Sequence, residues 1–225
     1  MADLPKYTLA IETATQKGSL SLFKGEEAIG SWTGDDRQAL SSALIPRISK
    51  LLSENDLTPS ELELVAVSAG PGSFTGIRVG MSAAKALQMA LGIPAIAVTL
   101  PEALALSAGA ASGNIIAIIS SGRTEVYWQE FMIGTGGAPA AISPVASVKV
   151  EAPPQIFKND TVIIRTSDVK PEYVEAVQRR TGKRIVQAED DLAKHIGKAA
   201  IARRMIEGPD TARSLVPVYV KEFHA

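Results

Sequence analysis

Cysteine is absent from the 225-residue chain, which excludes disulfide scaffolds, thiolate nucleophiles, iron–sulfur clusters and cysteine-ligated zinc. Histidine occurs only twice, at His195 and His224. Neither has a second histidine within one helical turn, as a zinc protease needs, and neither is tied to a serine by a known motif. The sequence therefore predicts no catalytic residue and no metal site.

The chain also lacks an excess of charge of either sign. It has 23 basic and 24 acidic residues, a net charge of −1, and no long run of Lys or Arg. A protein that holds nucleic acid by itself usually presents a basic patch or stripe. We therefore expect this chain to contact RNA only when another protein holds it.

Long hydrophobic runs are missing as well. The first residues, MADLPKYTLAIETA, have neither the basic region nor the long apolar region of a secretory signal. The longest uncharged stretch, 103–122, has serine, glycine and asparagine at its centre, where a membrane span needs apolar side chains. These patterns predict a soluble cytoplasmic protein with no membrane contact.

Hydrophobic periodicity predicts alternating strands and helices, in the order βββαβαβα in the first half of the chain. A helix starting at Asp35 or Asp36 contains Pro46, which either kinks it or starts a second segment. The predicted strands are 8–11, 19–23, 27–32, 64–68 and 95–98, and the second and third helices are 73–91 and an Ala/Leu segment after 99–102.

The second half repeats this order more loosely. Two successive βββαβαβ orders predict an α/β fold of two ribonuclease-H-like lobes, as in the actin-like ATPases (ASKHA fold), one at 1–110 and a degenerate one at 111–225. The segment from Gly134 to Ser147 has low complexity and predicts a surface loop. The remaining predicted strands are 115–119, 125–132, 147–150, 161–165 and 184–186, and the helices are 171–180 and 190–206.

The segment SAGPGSFTGIRVG, 68–80, places several glycines between a strand and a helix. Backbone N–H groups at a helix N-terminus favour anions, so this loop predicts a phosphate or carboxylate site. The alternative is a tight turn with an ordinary serine N-cap. The missing Lys-Ser/Thr ending excludes a P-loop, and Pro71 removes one backbone donor. The candidate anion contacts are Gly70, Gly72, Ser73 and Thr75.

Small residues recur every four positions along the helix that follows, at Gly76, Gly80 and Ala84. Such a stripe lets another element approach closely, either this chain's own sheet or a partner subunit. The amphipathic helix before it leaves the same two alternatives open. The candidate interface residues are Leu44, Ile48, Leu51, Gly76, Ile77, Gly80, Met81, Ala83 and Ala84.

The segments LAIETATQKGSLSLF, GPGSFTGIRVGMSAAKALQMALGIPAIAVTLPEALA, TEVYWQEF and PVYV, in this order, resemble the TsaB (YeaZ) family. These are bacterial tRNA threonylcarbamoyladenosine biosynthesis subunits catalogued with glycoprotease-like peptidases. The resemblance implies a non-catalytic actin-like subunit that pairs with the catalytic subunit TsaD, with the ATPase TsaE joining, and that forms a homodimer in isolation. It also implies that the helices at 40–52 and 73–91 form the pairing surface.

The chain departs from the family pattern at Glu12 and Ser120, where aspartates are usual, and at Leu40, where histidine is usual. In actin-like ATPases, acids at two hairpins position Mg²⁺ and water. Here one hairpin keeps Glu12 with Thr13, whereas the other carries Arg123 and no carboxylate. We expect no tightly bound cofactor, with ADP or ATP at a partner interface. The alternatives are a solvated acid for Glu12 and a turn residue for Arg123.

Two classes of function follow. One is a scaffolding or activating subunit that helps transfer threonylcarbamoyl to the adenosine beside the anticodon, and that reaches tRNA only through the complex. The other is an independent enzyme, either an ATP-dependent phosphotransferase or a glycoprotease. The missing second acid, the missing metal ligands and the lack of a Gly-Gly adenosine loop after 161–166 favour the first.

Overall fold

The computed structural model describes residues 3–34, 37–109, 112–122, 125–134, 137–149, 161–183, 185–208 and 215–220, with the backbone alone at 37–41. Contacts divide the chain into two compact units, one of residues 1–100 and 190–218 and the other of residues 101–189 and 219–225. This boundary differs from the predicted linear division at residue 110, because the last helix packs on the first sheet.

The elements follow the predicted order closely. The helices are α1 (Arg37–Ser53), α2 (Phe74–Leu91), α3 (Leu100–Ser107), α4 (Pro171–Thr181) and α5 (Ala193–Glu207). The strands are β1 (Tyr7–Glu12), β2 (Ser19–Lys24), β3 (Glu27–Thr33), β4 (Leu64–Ser68), β5 (Ala95–Val98), β6 (Gly113–Ser120), β7 (Glu125–Ile133), β8 (Pro139–Ala141), β9 (Ala146–Lys149), β10 (Val162–Arg165) and β11 (Ile185–Gln187).

The sheet of the first unit has the order β3-β2-β1-β4-β5. The predicted meander forms its antiparallel half, with Leu9 opposite Leu22, and β1, β4 and β5 are parallel, with Ala10 beside Ala66. Every residue of β4 is buried, as in strands that are covered on both faces. Helices α2 and α5 contact this strand, and α1 packs against α2 and β3. Pro46 lies inside a continuous α1.

The start of α5 is fastened to β2. The amide of Ala193 donates to the Ser19 hydroxyl at 2.9 Å, and the hydroxyl of Ser21 donates to the Asp191 carboxylate at 2.9 Å. A Cβ at Gly197 would lie 2.2 Å from the Phe23 ring, so glycine at this position permits the close approach of the helix. The final helix therefore completes the core of the first unit.

The second unit has the sheet order β11-β10-β6-β7-β8, with β9 also paired to β7. Its core contains Ile116, Ile118, Trp128, Ile163 and Tyr173. The segment predicted as a loop, 134–147, is not entirely a loop, since β8 pairs with the end of β7. Strand pairing here depends on the neighbouring strand, which a low-complexity composition does not reveal.

Among the described residues, no helix combines the length and the apolar composition that crossing a membrane requires.

Candidate functional site

The turn after β1 is organised by Glu12. This side chain is fully buried, and its carboxylate accepts from the amides of Ala14 at 2.5 Å and Thr15 at 2.9 Å and from the Thr15 hydroxyl at 2.6 Å. These donors compensate for the burial of a charged group. The solvated-acid alternative for Glu12 is therefore wrong, and the carboxylate points into its own turn.

The glycine-rich loop packs directly on this turn. The amide of Ser73 donates to the carbonyl of Ala14 at 2.8 Å, and the Ser73 hydroxyl accepts from the amide of Gly76 at 3.2 Å. Gly72 has φ of +156°, and a Cβ there would lie 2.4 Å from the Ala14 oxygen. The tight-turn alternative with a serine N-cap therefore describes this loop.

The predicted anion contacts are thus partly engaged inside the chain. The Ser73 amide and hydroxyl both have partners, the carbonyl of Gly70 accepts from the amide of Leu100 at 2.7 Å, and Thr75 is exposed. Arg123 lies outside the described residues, as do His224, Asp35 and Asp36. The amides of Ser73 and Gly70, which a phosphate would need as donors, already donate to the Ala14 carbonyl and the Ser68 hydroxyl, so nucleotide binding by this chain stays a prediction.

Thr13, another predicted nucleotide contact, fastens the turn to α2 instead. Its hydroxyl donates to the carbonyl of Gly76 at 2.7 Å. A Cβ at Gly76 would lie within van der Waals overlap of the Thr13 carbonyl oxygen, and one at Gly80 would lie 2.3 Å from its hydroxyl oxygen. The glycine stripe predicted as a possible interface faces its own chain here, because these contacts leave no room for another subunit.

The other predicted interface residues also lie beneath the surface. Their side chains belong to the packing between α1, α2 and the sheet, and the backbone of Leu40 continues α1 without a described side chain. In the structure they position the two helices, and two of them, Leu44 and Ala83, also line a groove formed by residues of both helices. The buried members are Leu44, Ile48, Leu51, Ile77, Met81, Ala83 and Ala84.

The exposed face of the two helices carries a groove that the sequence analysis missed. Its volume is about 570 Å³, and it lies between Leu44 and Ile45 of α1 and Phe74, Arg78 and Val79 of α2. Ile45 and Phe74 are each 57% exposed. Large apolar side chains in one exposed patch are typical of interaction surfaces. We call this patch the α1–α2 surface.

A signal for the α1–α2 surface was present in the sequence. Phe74, Arg78, Ser82 and Ala86 repeat every four residues, so they share one side of α2, about half a turn from the glycine stripe. An apolar aromatic residue on the side opposite the close-packed stripe would have indicated a second contact surface.

In the second unit, the end of β10 is a compact polar cluster. The guanidinium of Arg165 donates to the carbonyl of Thr166 at 3.0 Å and to the Gln187 side chain at 2.8 Å, and burial lowers its pKa. The Thr166 hydroxyl donates to Asp168 at 2.6 Å. Within the described part of the chain, no group of three or more His, Cys, Asp or Glu residues is arranged to hold a metal.

Solved structures show the same fold. YeaZ from Pseudomonas aeruginosa superposes with a TM-score of 0.75 at 24% identity, over 96% of this chain and 100% of that one. An activator of 2-hydroxyisocaproyl-CoA dehydratase from Clostridium difficile, solved with bound ADPNP, gives a TM-score of 0.52 at 9% identity, over 89% of this chain and 96% of that chain. The predicted actin-like ATPase fold is confirmed.

Sequence relatives point to one family. The chain is 33% identical over 119 residues to the tRNA threonylcarbamoyladenosine biosynthesis protein TsaB of Bacillus subtilis, a match over 53% of this chain and 52% of that protein. The chain thus spans about half the length of this relative. Residues 36–207 match the family model described as TsaD: tRNA N6-adenosine threonylcarbamoyltransferase. That match covers well over half of the chain, which therefore belongs to this family.

Proposed function

We propose that the chain is an accessory subunit in the biosynthesis of threonylcarbamoyladenosine in tRNA. It pairs with a TsaD-like catalytic subunit, and a TsaE-like ATPase joins the pair. The observation that carries the proposal is the α1–α2 surface, where Ile45 and Phe74 leave more than half of their side chains exposed. The names of the relatives supply the pathway, and the exposed helix pair supplies the means of association.

The α1–α2 surface is suited to pairing because a hydrogen bond and buried side chains hold its two helices in place. Thr13 fastens the first turn of α2 through Gly76, and Leu44 and Ile48 are buried beneath the exposed side of α1. A partner helix docking here would cover Ile45 and Phe74 without rearranging the core. Pre-organised surfaces of this kind lose little conformational entropy on binding.

The isolated chain is proposed to be non-catalytic. The Glu12 carboxylate, the acid closest in position to the metal-orienting acids of actin-like ATPases, is held by three donors of its own turn. We therefore expect no tight nucleotide binding by this chain alone, with ADP or ATP held at the shared interface with the partner. In isolation, two copies would use the same α1–α2 surface.

Reconstitution tests the proposal. The chain is co-purified with the TsaD-like and TsaE-like proteins of the same organism, and threonylcarbamoyl transfer to tRNA is measured with and without it. We expect product only when the chain is present, and tRNA binding only by the assembled complex. Full activity of the other two proteins alone would overturn the proposal, as would failure of the chain to join them.

A further inference from the structure

The charge of the two helices is one-sided although that of the whole chain is balanced. The chain has 24 acidic residues, yet neither α1 nor α2 contains a single Asp or Glu. All the charged residues of the two helices are basic, and each helix contributes to this excess of positive charge. The basic residues are Arg37, Arg47, Lys50, Arg78 and Lys85.

Arg78 lines the groove of the α1–α2 surface, whereas Lys50 pairs with Glu54. Arg47, Arg78 and Lys85 are all exposed, and among the described residues none of the three takes part in an ion pair. The Arg78 guanidinium lies 5.4 Å from the centroid of the Phe74 ring, a distance typical of a cation–π contact. The ring orients this charge inside the groove without neutralising it.

A cationic and apolar surface discriminates between partners. In a two-fold homodimer the same patch meets itself, so Arg78 and Lys85 of one copy would approach the cationic patch of the other. Like charges brought together at an interface oppose association, whereas opposite charges favour it and increase the association rate. The surface is thus better matched to a foreign helix pair than to its own copy.

We propose that the α1–α2 surface selects a partner whose helices carry carboxylates around an apolar side chain. The apolar side chain enters the groove between Ile45 and Phe74, and a carboxylate meets Arg78. Self-association through this surface is the weaker competing state. This inference rests on the proposed function for the choice of partner, whereas the surface and the charge argument come from the residues of α1 and α2.

The test compares two association constants over a range of salt. Binding of the TsaD-like subunit and self-association are both measured by sedimentation velocity between 50 and 500 mM NaCl, where screening becomes much stronger. We expect the dissociation constant for the foreign subunit to rise about tenfold or more with salt, and that for self-association to stay constant or fall. The inference would be overturned if self-association weakened with salt, or if binding of the foreign subunit did not change with salt.

Charge reversal supplies the matched variants. Arg78→Glu is expected to weaken binding of the foreign subunit more than tenfold at 50 mM NaCl, and Arg78→Gln is expected to weaken it less. Lys24→Glu makes the same charge change at the exposed end of β2 and should leave binding within about twofold. A mixture of Arg78→Glu and unmodified chains should associate more tightly than unmodified chains alone, and circular dichroism melting verifies that each variant is folded.

The outcomes separate the two proposals. If the chain supports threonylcarbamoyl transfer but Arg78→Glu binds the foreign subunit as well as the unmodified chain does, the charge inference fails and the proposed function stands. If the unmodified chain neither binds the subunit nor supports transfer, both fail.

Discussion

The Thr13 hydroxyl donates a 2.7 Å hydrogen bond to the carbonyl of Gly76, across 63 positions of sequence. Through this bond the turn that Glu12 organises holds the first turn of α2, which carries Phe74. The end of β1, where actin-like ATPases keep a metal-orienting acid, is thus connected by this hydrogen bond to the helix that carries part of the proposed partner surface. Changes in the turn should alter stability first and partner binding second.

The glycine stripe gives the sharpest packing prediction. Gly80→Leu should lower the free energy of unfolding by about 1–3 kcal/mol, because its Cβ would lie 2.3 Å from the Thr13 hydroxyl oxygen. Ala86→Leu, on the exposed side of the same helix, serves as the control and should change stability little. Chemical denaturation measures both, and an unchanged midpoint for Gly80→Leu would contradict the packing described for Thr13.

Glu12 should behave as an organiser of its turn. Glu12→Ala leaves the amides of Ala14 and Thr15 without their acceptor and should cost about 1–3 kcal/mol of stability. Glu12→Gln keeps one carbonyl oxygen as an acceptor and should cost less. Urea unfolding of the three proteins gives the comparison, and equal stability of Glu12→Ala and the unmodified chain would show that these bonds contribute nothing.

The isolated chain should hydrolyse neither ATP nor a glycoprotein substrate above background, because the Glu12 carboxylate is engaged by its own turn. Phosphate release and fluorescent peptide cleavage provide the measurements. A measured ATPase turnover that disappears in Glu12→Gln would reverse this conclusion and make the chain an enzyme in its own right.

The partly buried carboxyl group of Asp191 should make the stability of the protein depend on pH. Burial raises its pKa above the ordinary value of 3.8, despite hydrogen bonds from Ser21 and the Lys194 backbone. The folded protein therefore binds this proton more readily than the unfolded chain does, so this group lowers stability as the pH rises from about 4 through the raised pKa. Asp191→Asn should remove that part of the slope when unfolding is measured at several pH values. Identical slopes for the two proteins would contradict this.

In the second unit, replacing Tyr173 with phenylalanine is expected to keep or increase stability. Its ring is fully buried in the core, burial raises the pKa of its phenol, and its hydroxyl has no hydrogen-bond partner in the described part of the structure. Tyr173→Phe should be neutral or stabilise by about 1 kcal/mol, since a buried unsatisfied hydroxyl is unfavourable. Tyr173→Ala, which empties the site, should destabilise by about 3–5 kcal/mol. A large loss of stability in Tyr173→Phe would reveal a bond to the hydroxyl.

Patterns among neighbouring residues were sufficient to predict most of the helices and strands. The apolar alternation of the first three strands and the Ser73 cap with the periodic α2 depend on neighbouring residues, so the sequence predicted them nearly to the residue. Contacts between residues far apart in the sequence were harder to predict. Four-residue spacing shows that something approaches Gly76 and Gly80 closely, but only the fold shows that it is Thr13.

The same limit explains what was missed. The packing of α5 on the first sheet depends on contacts such as Ser19 with Ala193, 174 positions apart. The exposure of Phe74 follows from which side of α2 faces the sheet, and a helix with small residues on one side and apolar residues on another fits either orientation. The family resemblance implies that this pair of helices forms the pairing surface, which stays a prediction, whereas the structure shows which side of the helices is exposed.

The most direct test of the central claim is the threonylcarbamoyladenosine content of tRNA in cells depleted of this protein and supplied with variants. Phe74→Glu places a charge in the α1–α2 surface, and Ile206→Glu makes a matched change at a residue that is 84% exposed on α5. The account predicts that the unmodified chain and Ile206→Glu restore the modified nucleoside, whereas Phe74→Glu, although folded, does not. Full restoration by Phe74→Glu would contradict it.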